Sequence, residues 1–207
     1  MRIKPAWIVL ALGGFAVTGC ATVVLGTAGT VATRTVLAER STMDALRDTE
    51  IQLSLNNNFI SHSTELFTDV STSVVEGRVL LTGSVPSRDD KVTATRIAWE
   101  TDGVLEVTDE LVVQEDTGAV AYAEDAWISN QLRFNLLTDR QISSVNYSVE
   151  TVDKVVHITG LARSRGELSR VISVASGIPG VARVVSHVLT IDDPRRTARV
   201  RKPATTG

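Results

Sequence analysis

The sequence predicts an α+β protein built from two tandem αββαβ domains, each of which is a small three-stranded sheet covered by two helices. The main observation is a segment that occurs twice, as residues 79–84 (Val-Leu-Leu-Thr-Gly-Ser) and as residues 156–161 (Val-His-Ile-Thr-Gly-Leu). Its glycines, Gly83 and Gly160, lie 77 residues apart. An ungapped repeat at one spacing is typical of a duplicated domain. The same spacing relates Gly103 to Gly180, Ile51 to Ile128, Leu55 to Leu132 and Ile97 to Val174.

Hydrophobic periodicity and turn residues define the elements of the first copy. Leu46, Ile51 and Leu55 lie near one face of a predicted helix, which the run Asn-Asn-Asn at residues 56–58 is expected to end. Two runs rich in β-branched residues flank the pair Glu76-Gly77, and this pattern predicts a hairpin with a tight turn. The predicted elements are a helix over 44–56, strands over 70–75 and 78–84, a helix from 86 to about 101, and a strand over 104–113.

The second copy repeats this order. Ile128, Leu132 and Leu136 form the inward stripe of its first helix. Glycine inside a strand usually marks a bulge or a close backbone approach, and a helix is expected to pack over Gly83. The predicted elements are a helix over 124–137, strands over 145–151 and 155–161, a helix over 164–176 and a strand over 181–191. The glycines assigned structural roles are Gly83, Gly103, Gly160 and Gly180.

The first part of the chain, residues 1–19, has the pattern of a secretory signal peptide. Two basic residues precede an apolar run at residues 6–17, which is shorter than the ~20 residues of a membrane-spanning helix. The run ends in Val17-Thr18-Gly19-Cys20, which resembles the lipobox of bacterial lipoproteins. Cys20 is therefore predicted to carry the acyl chains of a lipoprotein. Ala21, in place of an aspartate, resembles the pattern that sorts such proteins to the outer membrane.

Composition suggests how the rest of the chain is divided. Residues 21–35 are rich in Gly, Thr and Ala, and a flexible tether is favoured there over a segment that lies along the membrane. The predicted divisions are a signal peptide (1–19), a lipid anchor and tether (20–42), a first domain (43–113), a linker (114–120), a second domain (121–191) and a basic disordered tail (192–207).

Charge is distributed unevenly along the chain, whose formal net charge is −3. Residues 43–113 carry 13 acidic and 5 basic side chains, whereas residues 125–191 carry 5 acidic and 7 basic ones. The tail from residue 192 adds 5 basic and 2 acidic side chains. An anionic surface would therefore attract the C-terminal half. An equally good interpretation is that the acidic first domain is simply well solvated.

These features together resemble the BON domain family. The resemblance rests on the αββαβ order, on the strands that end in Leu-Thr-Gly or Ile-Thr-Gly, and on the Gly-Val pair before each last strand. Two such domains behind a lipobox look like the dual-BON outer-membrane lipoproteins, and residues 125–133 are similar to the lipid-contacting helix of that group. The resemblance implies a protein that faces the periplasm, binds anionic phospholipid through its second domain and supports envelope integrity.

Comparison of the two copies suggests which residues make this contact. Trp127 and Phe134 stand where the first copy has Glu50 and Asn57, and their spacing of seven places them on one helix face. An amphipathic ring beside guanidinium groups suits the boundary between lipid headgroups and acyl chains. An alternative is that both rings pack against the first domain or against Tyr122. The predicted phospholipid-binding residues are Trp127, Gln131, Arg133, Phe134 and Arg140.

A rival function is that of a periplasmic chaperone or scaffold. Its acidic first domain would contact outer-membrane assembly proteins, and Trp127 would be a core residue. In either case Trp99 is expected at a contact between the domains. His62, His157 and His187 are scattered in sequence and are interpreted as structural or exposed. No catalytic constellation, metal site or cofactor site is predicted, so no enzymatic activity is expected, and the export signal argues against nucleic acid as a partner.

Overall fold

The computed structural model describes residues 42–114 and 119–196, and within these ranges the chain forms two αββαβ repeats in one compact unit. The first repeat contains an additional short helix after its first helix. Its elements are α1 (Thr42–His62), α2 (Thr64–Asp69), β1 (Val70–Val75), β2 (Arg78–Val85), α3 (Arg88–Glu100), β3 (Glu106–Asp109) and β4 (Val112–Val113).

The second repeat has a short 3-10 turn in place of the additional helix. Its elements are α4 (Ala119–Thr138), the 3-10 turn Ser144–Asn146, β5 (Tyr147–Val152), β6 (Val155–Ala162), α5 (Arg165–Ser176) and β7 (Arg183–Thr190), followed by a 3-10 turn at Pro194–Arg196. The α+β class and the order of the elements agree with the sequence prediction.

The first helix departs from its predicted course in two ways. It does not end at residues 56–58 but continues to His62, because Phe59 extends the buried stripe of Ile51 and Leu55 by one more turn. Leu46 does not belong to that stripe and is exposed. Its distance of five residues from Ile51 places it more than 100° away around the helix. A hydrophobic residue near the stripe in sequence therefore lies outside the core.

Each sheet combines an antiparallel hairpin with a parallel third strand. In the first repeat β1 pairs with β2, while β3 and then β4 run parallel to β2. In the second repeat β5 pairs with β6, and β7 runs parallel to β6 over its whole length. The predicted third strand of the first repeat is thus divided in two, with a break at Glu110 and Leu111.

Gly83 and Gly160 are required by the way each hairpin begins. Their φ angles are +121° and +149°, a region that side chains disfavour. A Cβ atom on either residue would lie 2.1 Å from a backbone carbonyl oxygen, that of Asp69 or of Asn146. The group that closes on each glycine is therefore the last carbonyl of a short helical turn, and the packed helix expected over Gly83 is not what excludes a side chain there.

Each repeat has its own hydrophobic core between its helices and one face of its sheet. In the first repeat Leu55 and Phe59 of α1 and Ala98 of α3 pack onto Val79 and Leu81 of β2. The second core repeats this arrangement between α4, α5 and β6. Both cores consist mainly of Val, Ile, Leu and Ala, as the low aromatic content predicts.

The two sheets pack against each other through the faces that point away from the helices. β1 lies against β6, and β2 lies against β5. Because side chains alternate along a strand, Leu80 and Thr82 point away from the first core, yet both are buried. Residues of the second repeat that are buried on the facing side are His157, Thr159, Leu161 and Leu189.

Residues 192–196 belong to the fold, which corrects the prediction that the tail is disordered from residue 192. The Arg196 guanidinium donates hydrogen bonds of 2.6 to 3.1 Å to both carboxylate oxygens of Glu76, in the turn of the first hairpin. Arg78 donates to the carbonyl of Arg195. Because the Glu76 carboxylate is largely removed from water, it needs a cationic partner, and Arg196 supplies one. Residues 197–207 lie outside the described residues.

Candidate membrane-contact site

The candidate site lies on α4, which is fixed to the second repeat by its inner face. Ile128, Leu132 and Leu136 are buried in the core, at the spacing that the sequence predicts for an inward stripe. The hydroxyl groups of Ser129 and Thr151 are 2.7 Å apart and join the helix to β5. With this side occupied, the opposite side of the helix is free to contact another surface.

Trp127 and Phe134 lie on that outer side. The two side chains are 51% and 60% exposed, so neither ring is enclosed by the first repeat or by the linker. Val120 precedes Trp127 by seven residues and is also exposed, and we call these three residues the aromatic face. Leu137 lies beside Phe134, one turn further on, and is exposed as well. Val120 and Leu137 are absent from the predicted set, although their helical spacing from Trp127 and Phe134 is visible in the sequence.

The polar residues predicted to accompany these rings are in different situations. Gln131 lies between the two rings on the same side of α4 and donates a long hydrogen bond of 3.4 Å to Asn135. Arg140, just beyond the helix, is exposed and makes no hydrogen bond or ion pair with any other described residue. Arg140 is thus available to a phosphate group.

Arg133 is engaged within the repeat. Its guanidinium donates to the backbone carbonyl of Val149 and forms an ion pair of 3.2 Å with Glu150. Burial raises the pKa of the Glu150 carboxyl, and the charge of Arg133 opposes this effect. Arg133 therefore links α4 to β5, and a phosphate would have to compete with these partners for it.

The corresponding face of the first repeat is also apolar, but it lacks aromatic rings. Leu46, Leu53 and Ile60 recur every seven residues along α1 and are all exposed. We call these residues the leucine stripe. Glu50 and Asn57, the counterparts of Trp127 and Phe134, lie on the same side of the helix. This regular spacing is visible in the sequence, but the predicted place of Leu46 on the inward face is wrong, because its side chain is exposed.

Trp99 does not lie where the two repeats meet. It is half-buried on α3, which packs against α1, β2 and β3 of its own repeat. The interface between the repeats is on the other face of the first sheet. The predicted contact of Trp99 with the second domain is therefore wrong, because α3 covers the face of the sheet that points away from the second repeat.

Some predictions concern residues that the structure does not describe. The predicted signal peptide (1–19), the predicted lipidation site Cys20 and nearly all of the predicted anchor and tether (20–42) lie outside the described residues. Among residues 42–114 and 119–196, no helix has the length and apolar character needed to cross a membrane.

Comparison with known proteins identifies both repeats. The BON domain family matches residues 47–115 and 124–191. The chain is 38% identical over 142 residues to an uncharacterized protein in the gshII 5' region of Anaplasma centrale, an alignment that covers 68% of this chain and 93% of that protein.

Two further relatives have descriptive names. The outer membrane lipoprotein DolP of Haemophilus influenzae is 27% identical over 176 residues, with 84% of this chain and 90% of that protein covered. The osmotically-inducible protein Y of Escherichia coli is 30% identical over 145 residues, with 69% and 72% covered. Since the family matches both repeats and a relative is matched over nearly its whole length, this chain belongs to the BON domain family, as a DolP-like protein with two BON domains.

Proposed function

We propose that this protein is a lipoprotein of the outer membrane that faces the periplasm, binds anionic phospholipid through its second BON domain and supports envelope integrity. It acts by binding and not as an enzyme. The observation that carries the proposal is the aromatic face, where an indole and a benzyl ring are displayed to solvent on the outer side of α4. The name of the DolP relative supports the outer-membrane location, and Cys20 supplies the residue for the anchor.

The aromatic face has the chemistry of a surface that enters the headgroup region. Apolar side chains grouped on one exposed face often mark a site of contact with a protein or a membrane, and the interface of a membrane accepts rings that are apolar on their faces. Full burial of each large side chain contributes about 2 to 3 kcal/mol. Two rings from one rigid helix can enter together without reordering the fold.

Electrostatic attraction adds to this contact. Residues 125–191 carry two more basic than acidic side chains, whereas residues 43–113 carry eight more acidic than basic ones. A basic side chain near an anionic leaflet contributes about 1 kcal/mol. Arg140 is the side chain of the predicted set that is best placed to do so, because it has no partner among the described residues. The lipid should therefore meet the second repeat, and added salt should weaken the binding.

The test is flotation with vesicles, using residues 42–196, which contain both hydrophobic cores but no acyl anchor. Trp127→Glu should lower partitioning into phosphatidylglycerol or cardiolipin vesicles by about 30- to 150-fold, which corresponds to 2 to 3 kcal/mol. The matched control is Leu53→Glu, which replaces an exposed apolar residue on the equivalent helix of the first repeat. If the two variants bind alike, or if Trp127→Glu still floats as the parent does, the site is wrong.

A second candidate function is favoured by the leucine stripe. An acidic domain with exposed apolar residues along one helix would suit a scaffold that contacts outer-membrane assembly proteins through α1. This version loses one of its premises, because Trp127 is not a core residue. The flotation experiment also separates the two candidates. A scaffold of this kind predicts no enrichment on anionic vesicles, together with loss of a protein crosslink in cells that carry Leu53→Glu.

A further inference from the structure

The interface between the sheets contains a cluster of side chains that the sequence gives no reason to associate. The imidazole rings of His157 and His187 are nearly parallel, with an interplanar angle of 6° and 6.1 Å between centroids. Their strands, β6 and β7, are neighbours. Glu110 comes from the first repeat, at the break between β3 and β4, and its carboxylate is 3.5 Å from Nε2 of His187. Two histidines that lie 30 residues apart in the sequence are thus brought together with a carboxylate.

This cluster is incompletely satisfied. His157 is only 4% exposed, and its Nδ1 atom has no hydrogen-bond partner. Nε2 of His187 is also buried and lacks a hydrogen bond, although the Glu110 carboxylate is only 3.5 Å away. A buried polar atom without a partner is costly, and native proteins rarely retain several of them at one place. Something that binds nitrogen lone pairs would remove this cost.

We propose that Glu110, His157 and His187 bind a divalent transition-metal ion of the zinc class between the two BON domains. One ligand atom from each of these residues lies within 4.8 Å of the other two. Imidazole nitrogen with a carboxylate oxygen is a donor set that suits Zn²⁺, and water can complete its coordination.

The geometry requires a modest contraction. Metal–ligand bonds of about 2.0 to 2.2 Å bring ligand atoms to within roughly 3.5 Å of one another. The Glu110 carboxylate already lies 3.5 Å from Nε2 of His187, so the contraction concerns the distances from these two groups to His157. Glu110 can shift toward His157, because it lies outside regular strand structure and its side chain is partly exposed. Burial lowers the pKa of both imidazoles, which favours the neutral form that coordinates metal.

The ion would join the two repeats, since one ligand comes from the first and two come from the second. This role is independent of lipid contact, because the cluster lies between the sheets while the aromatic face is on the outer side of α4. A failure of the metal site would therefore leave the proposed lipid binding untouched, and the reverse also holds.

The test uses the full chain in detergent, with Cys20→Ser to remove its single thiol. We expect one Zn²⁺ per chain by calorimetry and visible d–d absorption bands when Co²⁺ is bound instead. His187→Gln and Glu110→Gln should each weaken Zn²⁺ binding by at least roughly 10- to 100-fold. Loss of a residue that only hydrogen-bonds to a metal ligand already costs this much, and loss of a ligand should cost no less. Both residues are partly exposed, so their replacement should leave the fold intact, which circular dichroism checks.

The matched control is His62→Gln, which removes the exposed histidine at the end of α1 and should bind Zn²⁺ as the parent does. Zinc should also raise the unfolding temperature of the parent and of His62→Gln, but not of His187→Gln. The proposal is overturned if the parent binds no Zn²⁺ at about 100 μM, a concentration far above the dissociation constants of specific zinc sites in proteins. It is equally overturned if binding survives His187→Gln or is lost in His62→Gln.

Discussion

Asp48 and Asp125 occupy equivalent places in the two repeats, and each carboxylate binds the hairpin turn of its own repeat. Asp48 accepts hydrogen bonds of 2.8 and 2.9 Å from the amides of Glu76 and Gly77. Asp125 accepts two of 2.8 Å from the amides of Asp153 and Lys154. Both aspartates are buried in the first helix of their repeat. This relationship fixes that helix to the far end of the hairpin, and in the second repeat it sets the orientation of α4.

Loss of this connection should destabilise the second repeat. Asp125→Ala removes a charged acceptor and leaves two amides without their partner, so we expect a loss of about 1 to 3 kcal/mol in the free energy of unfolding. Urea denaturation measures it. Asn130→Ala, at an exposed position of the same helix, should stay within about 0.5 kcal/mol of the parent. Equal effects of the two substitutions would show that the turn does not depend on Asp125.

The turn of the second hairpin contains strain that the first turn avoids. Lys154 has a φ angle of +63°, whereas the corresponding residue of the first turn is Gly77. Lys154→Gly should therefore be more stable than Lys154→Ala by roughly 1 kcal/mol, because glycine adopts this region freely. Both variants lose the ion pair with Glu124, so its loss does not contribute to the difference in stability between them. Thermal unfolding measures the difference, and a more stable alanine variant would contradict the argument.

Glu167 should make the stability of the second repeat decrease at acidic pH. Burial alone raises the pKa of this carboxyl, but hydrogen bonds from the Arg163 side chain and from the amides of Ser143 and Arg163 outweigh burial, and the net pKa is lowered from 4.5. A group whose folded pKa is depressed stabilises the protein above its unfolded pKa. That contribution is lost as the pH falls through the folded value.

We therefore expect Glu167→Gln to cost about 1 to 3 kcal/mol at neutral pH. This difference from the parent should shrink as the pH falls below 4.5. Urea denaturation over a series of pH values measures both effects. The control is Glu100→Gln, which alters an exposed ion pair with Arg96 and should change stability little at any pH. A difference that grows in acid would reverse the sign of the proposed linkage.

The glycine that pairs with the first residue of each hairpin should not tolerate a side chain. Gly160→Ala would place a Cβ atom 2.1 Å from the carbonyl oxygen of Asn146, so we expect a loss of more than about 3 kcal/mol or failure to fold. Gly166→Ala is the matched control, because its Cβ would meet the Ser164 hydroxyl at 3.6 Å, and it replaces glycine in the helix α5. That variant should be neutral or more stable by up to about 1 kcal/mol. Denaturation midpoints of the two variants measure these effects, and similar midpoints would contradict the steric argument.

The two arginines beside the aromatic face should behave differently. Arg140→Gln should weaken binding to anionic vesicles about fivefold, which corresponds to about 1 kcal/mol, and should reduce the dependence on salt without altering the fold. Arg133→Gln should affect vesicle binding less and stability more, because Arg133 is paired with Glu150 and the Val149 carbonyl. Flotation at several salt concentrations and urea denaturation of both variants test this. A larger effect of Arg133 on flotation would assign the phosphate contact to it.

Elements that are determined by local pattern could be predicted from the sequence. The hairpin strands agree to within about two residues, because their ends are set by turn residues and their interiors by alternation. The ends of α1 could not be predicted in the same way. The three consecutive asparagines suggest an end, but burial of Phe59 in the core outweighs their low helix propensity. Tertiary packing decides such boundaries.

The candidate site, like the fold, could be predicted from the sequence only in part. The positions of Trp127 and Phe134 follow from helical periodicity and from comparison of the two copies. The partners of Arg133, the capture of Glu76 by Arg196 and the stacking of His157 on His187 depend on which strands become neighbours and on how the two sheets meet. No short-range pattern in the chain carries that information.

The packing of the sheets has a consequence for what the protein can touch at once. Because the strands of the two repeats lie back to back, the layers follow the order helix, sheet, sheet, helix, and α1 and α4 lie on opposite outer layers. A bilayer that receives the rings of α4 therefore leaves Leu53 and its neighbours directed away from the lipid. The molecule is two-sided, and a partner that binds the α1 side need not compete with the membrane for the same surface.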